Sequence, residues 1–170
     1  MRRFALYRIL PWILVGVCLV VLLFFSGQDA TNSHRISGGI TNKLIKALRV
    51  PLDYLRTASN QEVHDSLNMF IRKMAHRAIF FAITLFLFWG IRQYTTKIPY
   101  VFLLTLLSSL VVACLDELHQ YFSIERNSSP FDVFIDMQGA LAALLLIFAF
   151  YIPVYITKKT TNPDHSELDK

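Results

Sequence analysis

The chain has 170 residues, 54% of them hydrophobic, with a mean hydropathy of +0.44 and a formal net charge of +5. That apolarity excludes an ordinary soluble domain and the length excludes two large independent ones, leaving one small polytopic membrane domain. The basic residues sit in short clusters beside apolar runs and in the segment after the first run, with no aromatic-plus-basic platform. They suit orientation and contact with membrane lipids, and nucleic acid is excluded as a partner.

In chain order, Arg2, Arg3 and Arg8 flank an apolar run that becomes long enough to span at about residues 7–25. Phe25-Ser26-Gly27-Gln28-Asp29-Ala30 offers no small-x-small cleavage site, so a retained helix is predicted in place of a secretory leader. Ile40, Leu44, Ile45 and Leu48 then recur at helical spacing against Lys43, Lys46 and Arg49, stopping before Pro51. This predicts an external amphipathic helix lying in the membrane interface. Ser59-x-x-Glu62 is a capping-box pattern, and the helix it starts runs into a second span at 74–91. After a basic turn come a third span at 100–115, a loop containing Arg126, and a fourth span at 131–156. The expected fold class is thus all-α: one domain over 1–156 with four transmembrane helices, followed by a polar cytoplasmic tail at 157–170. Cys18 and Cys114 both fall inside apolar runs and read as buried small hydrophobes.

Four spans with a basic amino terminus inside place both termini in the cytoplasm. Ser26 and Gln28, Lys73 and His76, the run from Asp116 to Arg126, and Asp132 and Asp136 then all fall on the external side. The densest of these is Asp116-Glu117-Leu118-His119-Gln120. Charges near hydrocarbon cost roughly 1 to 3.5 kcal/mol each, depending on depth, so such a cluster needs partners. On a continuing helix Asp116, His119 and Gln120 share a face. Asp136 lies about 6 Å deeper than Asp132, and Gly139 one turn further on would let a neighbouring helix approach. The expected pairs are Asp136 or Asp116 with His76 or Lys73, and Glu117 or Asp132 with Arg126.

Three readings of this constellation stay open. It is a buried ion-pair network that sets helix register; or a ligand pocket lined by Ser26, Gln28, Lys73, His76, Asp116, Glu117, His119, Gln120, Arg126, Asp132 and Asp136; or a catalytic site in which Asp116, His119 and His76 move protons. Binding is favoured over catalysis. By ligand type Asp116, His119, His76 and Asp136 could hold a divalent metal, but no H-E-x-x-H or paired-cysteine spacing is present, so neither a metal nor a cofactor is assigned. A transport route is disfavoured because the middles of the second and third spans carry no charge.

The order of Phe25-Ser26-Gly27-Gln28, Ser37-Gly38-Gly39, Arg72-Lys73-Met74-Ala75-His76, Leu115-Asp116-Glu117-x-His119-Gln120, Arg126 and Asp132-x-x-x-Asp136-x-x-Gly139 resembles the VanZ-like family of bacterial membrane proteins, over roughly residues 9 to 152. The resemblance implies a cell-envelope protein, the family's namesake giving low-level resistance to the glycopeptide teicoplanin. The pocket's expected ligand is then a lipid-linked cell-wall precursor or a glycopeptide. An intramembrane enzyme acting on a lipid-linked envelope substrate is the alternative. In one departure the chain reads Arg77-Ala78-Ile79-Phe80-Phe81 where many relatives carry an acid and a tyrosine. That leaves Asp116, Glu117 or Asp136 to hold His76.

Overall fold

A computed structural model describes residues 2–26, 58–122 and 130–161, and every element among these described residues is an α-helix. They are α1 (Arg2–Ser26), α2 (Ala58–Arg92), α3 (Ile98–Tyr121) and α4 (Pro130–Thr161). Each contains a stretch long and apolar enough to cross a membrane: Tyr7–Ser26, Met69–Arg92, Ile98–Tyr121 and Phe131–Tyr151. At about 1.5 Å per residue these reach roughly 30 to 36 Å, the thickness of a bilayer's hydrocarbon core or slightly more. Among the described residues the chain is all-α, a membrane protein with four helices long and apolar enough to span. The expected amphipathic helix at 40–49, the loop at 123–129 and the end of the tail lie outside the described residues.

Local chemistry sets the helix ends. α2 opens at Ala58, one residue ahead of the expected cap Ser59, and meets no breaker before Arg92. Its reversal is closed by the Gln93 and Tyr94 amides, which donate to the Gly90 and Ile91 carbonyls. α3 then starts after Lys97, whose backbone is extended, with Pro99 in the first turn where a missing N–H costs nothing. α3 does not stop at Leu115 but continues to Tyr121, so Asp116 and Gln120 are on the helix proper.

α2 is central and packs against each of the other three helices, and α4 packs also against α3. One core cluster joins Val15 and Leu22 of α1, Phe80, Ile83 and Leu87 of α2, and Ala113 of α3. A second joins Phe88, Val101 and Leu144. Large apolar side chains such as Val20, Phe24, Leu145 and Phe150 face outward, as lipid-covered surfaces do. Cys114 is among the exposed residues while Cys18 is half-buried, which corrects the expectation that both are buried. The reason is periodicity: Cys114 follows Ala113, which takes the inward position of α3.

At one end of the bundle aromatic and basic side chains alternate. The rings of Tyr7 and Trp89 meet edge to face at 5.4 Å, and Arg8 lies 5.8 Å from the Tyr94 ring. Arg92 donates from Nε to the Tyr151 hydroxyl at 3.0 Å and from its terminal nitrogen to the Thr95 carbonyl at 2.9 Å. At the opposite end α4 crosses α2 at Gly139. A Cβ there would overlap the Arg77 carbonyl oxygen and stand 2.9 Å from both the Arg77 Cα and carbonyl carbon. Those are backbone atoms, so one helix must move to make room. Gly139→Ala should therefore cost about 1–3 kcal/mol as overpacking and lower the unfolding temperature of the detergent-solubilised protein. Gly16→Ala, where nothing lies within 4 Å, should leave that temperature unchanged or raise it.

Candidate functional site

The inward stripe of α3 is Val101, Thr105, Ser109, Ala113, Asp116 and Gln120, a spacing of three or four that keeps one face. Its outward side carries Leu103, Leu107, Leu110, Val111 and Leu118. α3 thus turns small and polar residues toward its neighbours and aliphatic ones toward lipid. Midway along the spans the buried hydroxyls of Thr84 and Ser109 hydrogen-bond at 3.0 Å, while Thr84 also reaches the Phe80 carbonyl and Thr105 donates to the Val101 carbonyl. These hydroxyls satisfy one another or the helix backbone, as polar groups buried at membrane depth must.

Nearer the end opposite the aromatic and basic residues, three helices bring one charged or titratable side chain each to a common point. His76 of α2 places Nδ1 3.5 Å from Asp136 Oδ1 of α4 and 3.9 Å from Asp116 Oδ2 of α3. Gln120 donates from Nε2 to the same Asp116 Oδ2 at 2.8 Å. Asp116 is 2% exposed and Asp136 3%. The other Asp116 oxygen, Oδ1, is also buried and accepts no hydrogen bond among the described residues. Asp116 and Asp136 each stand five residues from their span ends at Tyr121 and Phe131, and His76 seven from Met69. The cluster is therefore roughly 7 to 10 Å inside the apolar boundary. Ser26, fully buried at the end of α1, closes the first helix at the same end of the bundle.

Of the residues proposed from the sequence, the structure brings His76, Asp116, Gln120 and Asp136 together. Asp116 and Asp136 are thus the carboxylates that face a histidine lacking its acidic near neighbour. His119 lies on the exposed side of α3. At about 100° per residue it is about 60° round the helix from Asp116 while Gln120 is 40° the other way, toward the packed face. Glu117 is half-buried with both carboxylate oxygens shielded from solvent. Lys73 is half-buried and makes no ion pair among the described residues. Gln28 and Arg126 lie outside the described residues.

Sequence reading left Arg72 and Arg77 out of the site. Arg72 sits in the field of both Asp132 and Asp116, the former more strongly. Arg77 donates from Nε to the Gln138 side chain at 3.0 Å, tying α2 to α4 beside the Gly139 crossing. The i, i+4 relation of Arg72 to His76 and the small residue at Gly139 were the signals that could have found both. Chemically, an imidazole between two carboxylates from different helices can hold a proton, relay one or ligate a cation.

A protein-family model described as VanZ/LLP1 matches residues 11–151 of the chain, and the chain belongs to that family. Comparison with curated proteins and with solved structures returned no match.

Gln120 is the one described donor to Asp116. Gln120→Leu, similar in volume, should cost about 1–3 kcal/mol by stranding a buried carboxylate oxygen. Thr84→Val, which removes a neutral interhelical pair, should cost about 0.6 kcal/mol. Denaturant unfolding of the solubilised protein checks the order, and a larger loss for Thr84→Val would overturn it.

Proposed function

We propose that this member of the VanZ family is a cell-envelope protein whose outward-facing polar pocket binds a cell-wall-associated lipid or a glycopeptide of the teicoplanin type, and that it lowers susceptibility to such antibiotics. The observation that carries the reading is the buried His76–Asp116–Asp136 cluster, assembled from three helices at one end of a bundle whose other fully buried side chains, among the described residues, are apolar or neutral. Placing two carboxylates there costs desolvation that an inert apolar packing would avoid. Intramembrane ionisable groups of this kind accompany function.

Sidedness follows from the opposite end. Arg8, Arg92 and Lys97 stand there, the basic residues that support a cytoplasmic side, beside Tyr7, Trp12, Trp89, Tyr94 and Tyr100, amphipathic aromatics of the kind found at either membrane interface. The cluster then faces outward, both termini are cytoplasmic, and Arg72, Lys73 and Arg77 are one turn or less from His76, where they supply positive charge for an anionic headgroup or lipid-linked phosphate. A second reading is supported by the imidazole set between two carboxylates, which is also an acid-base arrangement. It makes the protein an intramembrane enzyme acting on a lipid-linked envelope substrate, with His76 in place of the exposed His119 as the proton-moving group.

Expressed in a susceptible bacterium, the protein should raise teicoplanin tolerance, and Asp116→Asn or His76→Gln should abolish the effect at unchanged membrane abundance. Susceptibility that does not respond to either variant sinks the pocket. Turnover of a lipid-linked substrate by the purified protein, lost in His76→Gln, selects the enzyme. For sidedness, a Phe122→Cys variant should react with a membrane-impermeant thiol reagent in intact cells and Thr96→Cys only after permeabilisation; the reverse pattern inverts the topology.

A further inference from the structure

We propose that His76, Asp116 and Asp136 form a binding site for a single divalent transition-metal cation of the Zn2+ class. One donor atom from each residue lies within 4.8 Å of the other two. The His76 separations of 3.5 and 3.9 Å are longer than the usual N–H···O hydrogen bond of about 2.7–3.2 Å. They are close to the spacing of neighbouring ligands around a tetrahedral ion, about 3.4 Å when each bond is about 2.1 Å. The third separation, between the Asp116 and Asp136 donors, is within 4.8 Å, so drawing the three side chains onto one ion needs a contraction of up to about 1.4 Å there.

A second observation is independent of that spacing. Asp116 is almost wholly buried, and its Oδ1 accepts nothing among the described residues while Oδ2 already takes the Gln120 amide. A buried carboxylate oxygen with no donor is expensive, and a cation bridged by both Asp116 oxygens, Oδ2 being the one 3.9 Å from His76, would supply the missing partner. Within the ligand set alone, two carboxylates and a neutral imidazole carry two negative charges, which a divalent ion cancels, with Arg72 in the field of Asp116 as a further positive charge outside the set. Mixed nitrogen and oxygen donors select a borderline ion over Ca2+ or Mg2+, which prefer all-oxygen shells. Gln120 acts behind Asp116 as the outer partner that fixes the ligand's orientation.

Because the three ligands come from α2, α3 and α4, the ion also clamps the three helices at that end of the bundle. Three protein ligands leave coordination open to water or to an oxygen of a bound molecule, the pattern of reactive sites more than of closed structural ones. The inference stands whether or not the pocket recognises an envelope ligand, and its readouts are metal content and spectra, not susceptibility.

The test uses the untagged, full-length protein in detergent, stripped with chelator and titrated with Zn2+, and in parallel with Co2+ as a spectroscopic probe. The expected result is one equivalent bound, a rise in unfolding temperature of several degrees, and visible d–d absorption from Co2+. The spectrum should persist in Cys114→Ser, which removes the exposed thiol as a competing ligand. Affinity should fall by at least about 100-fold in His76→Gln and in Asp136→Asn, since loss of an outer-sphere partner alone costs about 10- to 100-fold. Should those variants fail to fold, the wild-type stoichiometry and Co2+ spectrum still decide. Overturning results are stripped wild-type protein that neither binds nor is stabilised at a tenfold excess of Zn2+, binding that survives intact in folded Asp136→Asn, or a cobalt spectrum that vanishes with Cys114.

Discussion

Gly139 meets the backbone of Arg77 so closely that no Cβ fits between α4 and α2. Much of the candidate site depends on that contact. One turn before it along α4 is Asp136, and one residue before Arg77 on α2 is His76, so a backbone approach at the crossing sets the distance between their side chains. The Arg77 to Gln138 hydrogen bond fastens the same crossing from outside. A larger residue at 139 would act on the cluster without touching it.

The bilayer explains why the remaining interior looks as it does. Between helices in lipid there is little hydrophobic driving force, so close packing and hydrogen bonds replace it. α3 shows the consequence in its stripe of Thr105, Ser109, Ala113, Asp116 and Gln120, with leucines and valines left to the outside. Neutral hydroxyls occupy the middle of the span and satisfy each other or the helix backbone. The carboxylates lie nearer one end, where cost falls and an opening to a ligand becomes feasible.

The two ends are chemically unlike. One carries arginine, lysine, tyrosine and tryptophan in contact with one another. The other carries acids buried around an imidazole, with Arg72 in the field of Asp132 and Asp116. That polarity links the packing to the proposed function, because the buried carboxylates gather at one end of the bundle while the other end carries basic and aromatic side chains.

Composition and hydropathy alone determined four spans, because roughly 20 apolar residues in a row have few other stable states. The motifs around His76, Asp116 and Asp136 and the small residue at Gly139 were equally plain in the chain, since they are local in sequence. Tertiary structure decided the rest. Helical spacing grouped His119 with Asp116 and Gln120, but the direction in which α3 packs buries the latter two and leaves His119 outside. The same rotation exposes Cys114, which hydropathy could not distinguish from a buried neighbour. Arg72 was visible as a basic flank, yet its relation to Asp132 depends on where α4 crosses. The sequence by itself thus determined which groups lie toward the same end of the spans. Only the packing of α2 against α3 and α4 decided which of them meet, because a contact between helices depends on their rotation and approach, which no single helix encodes.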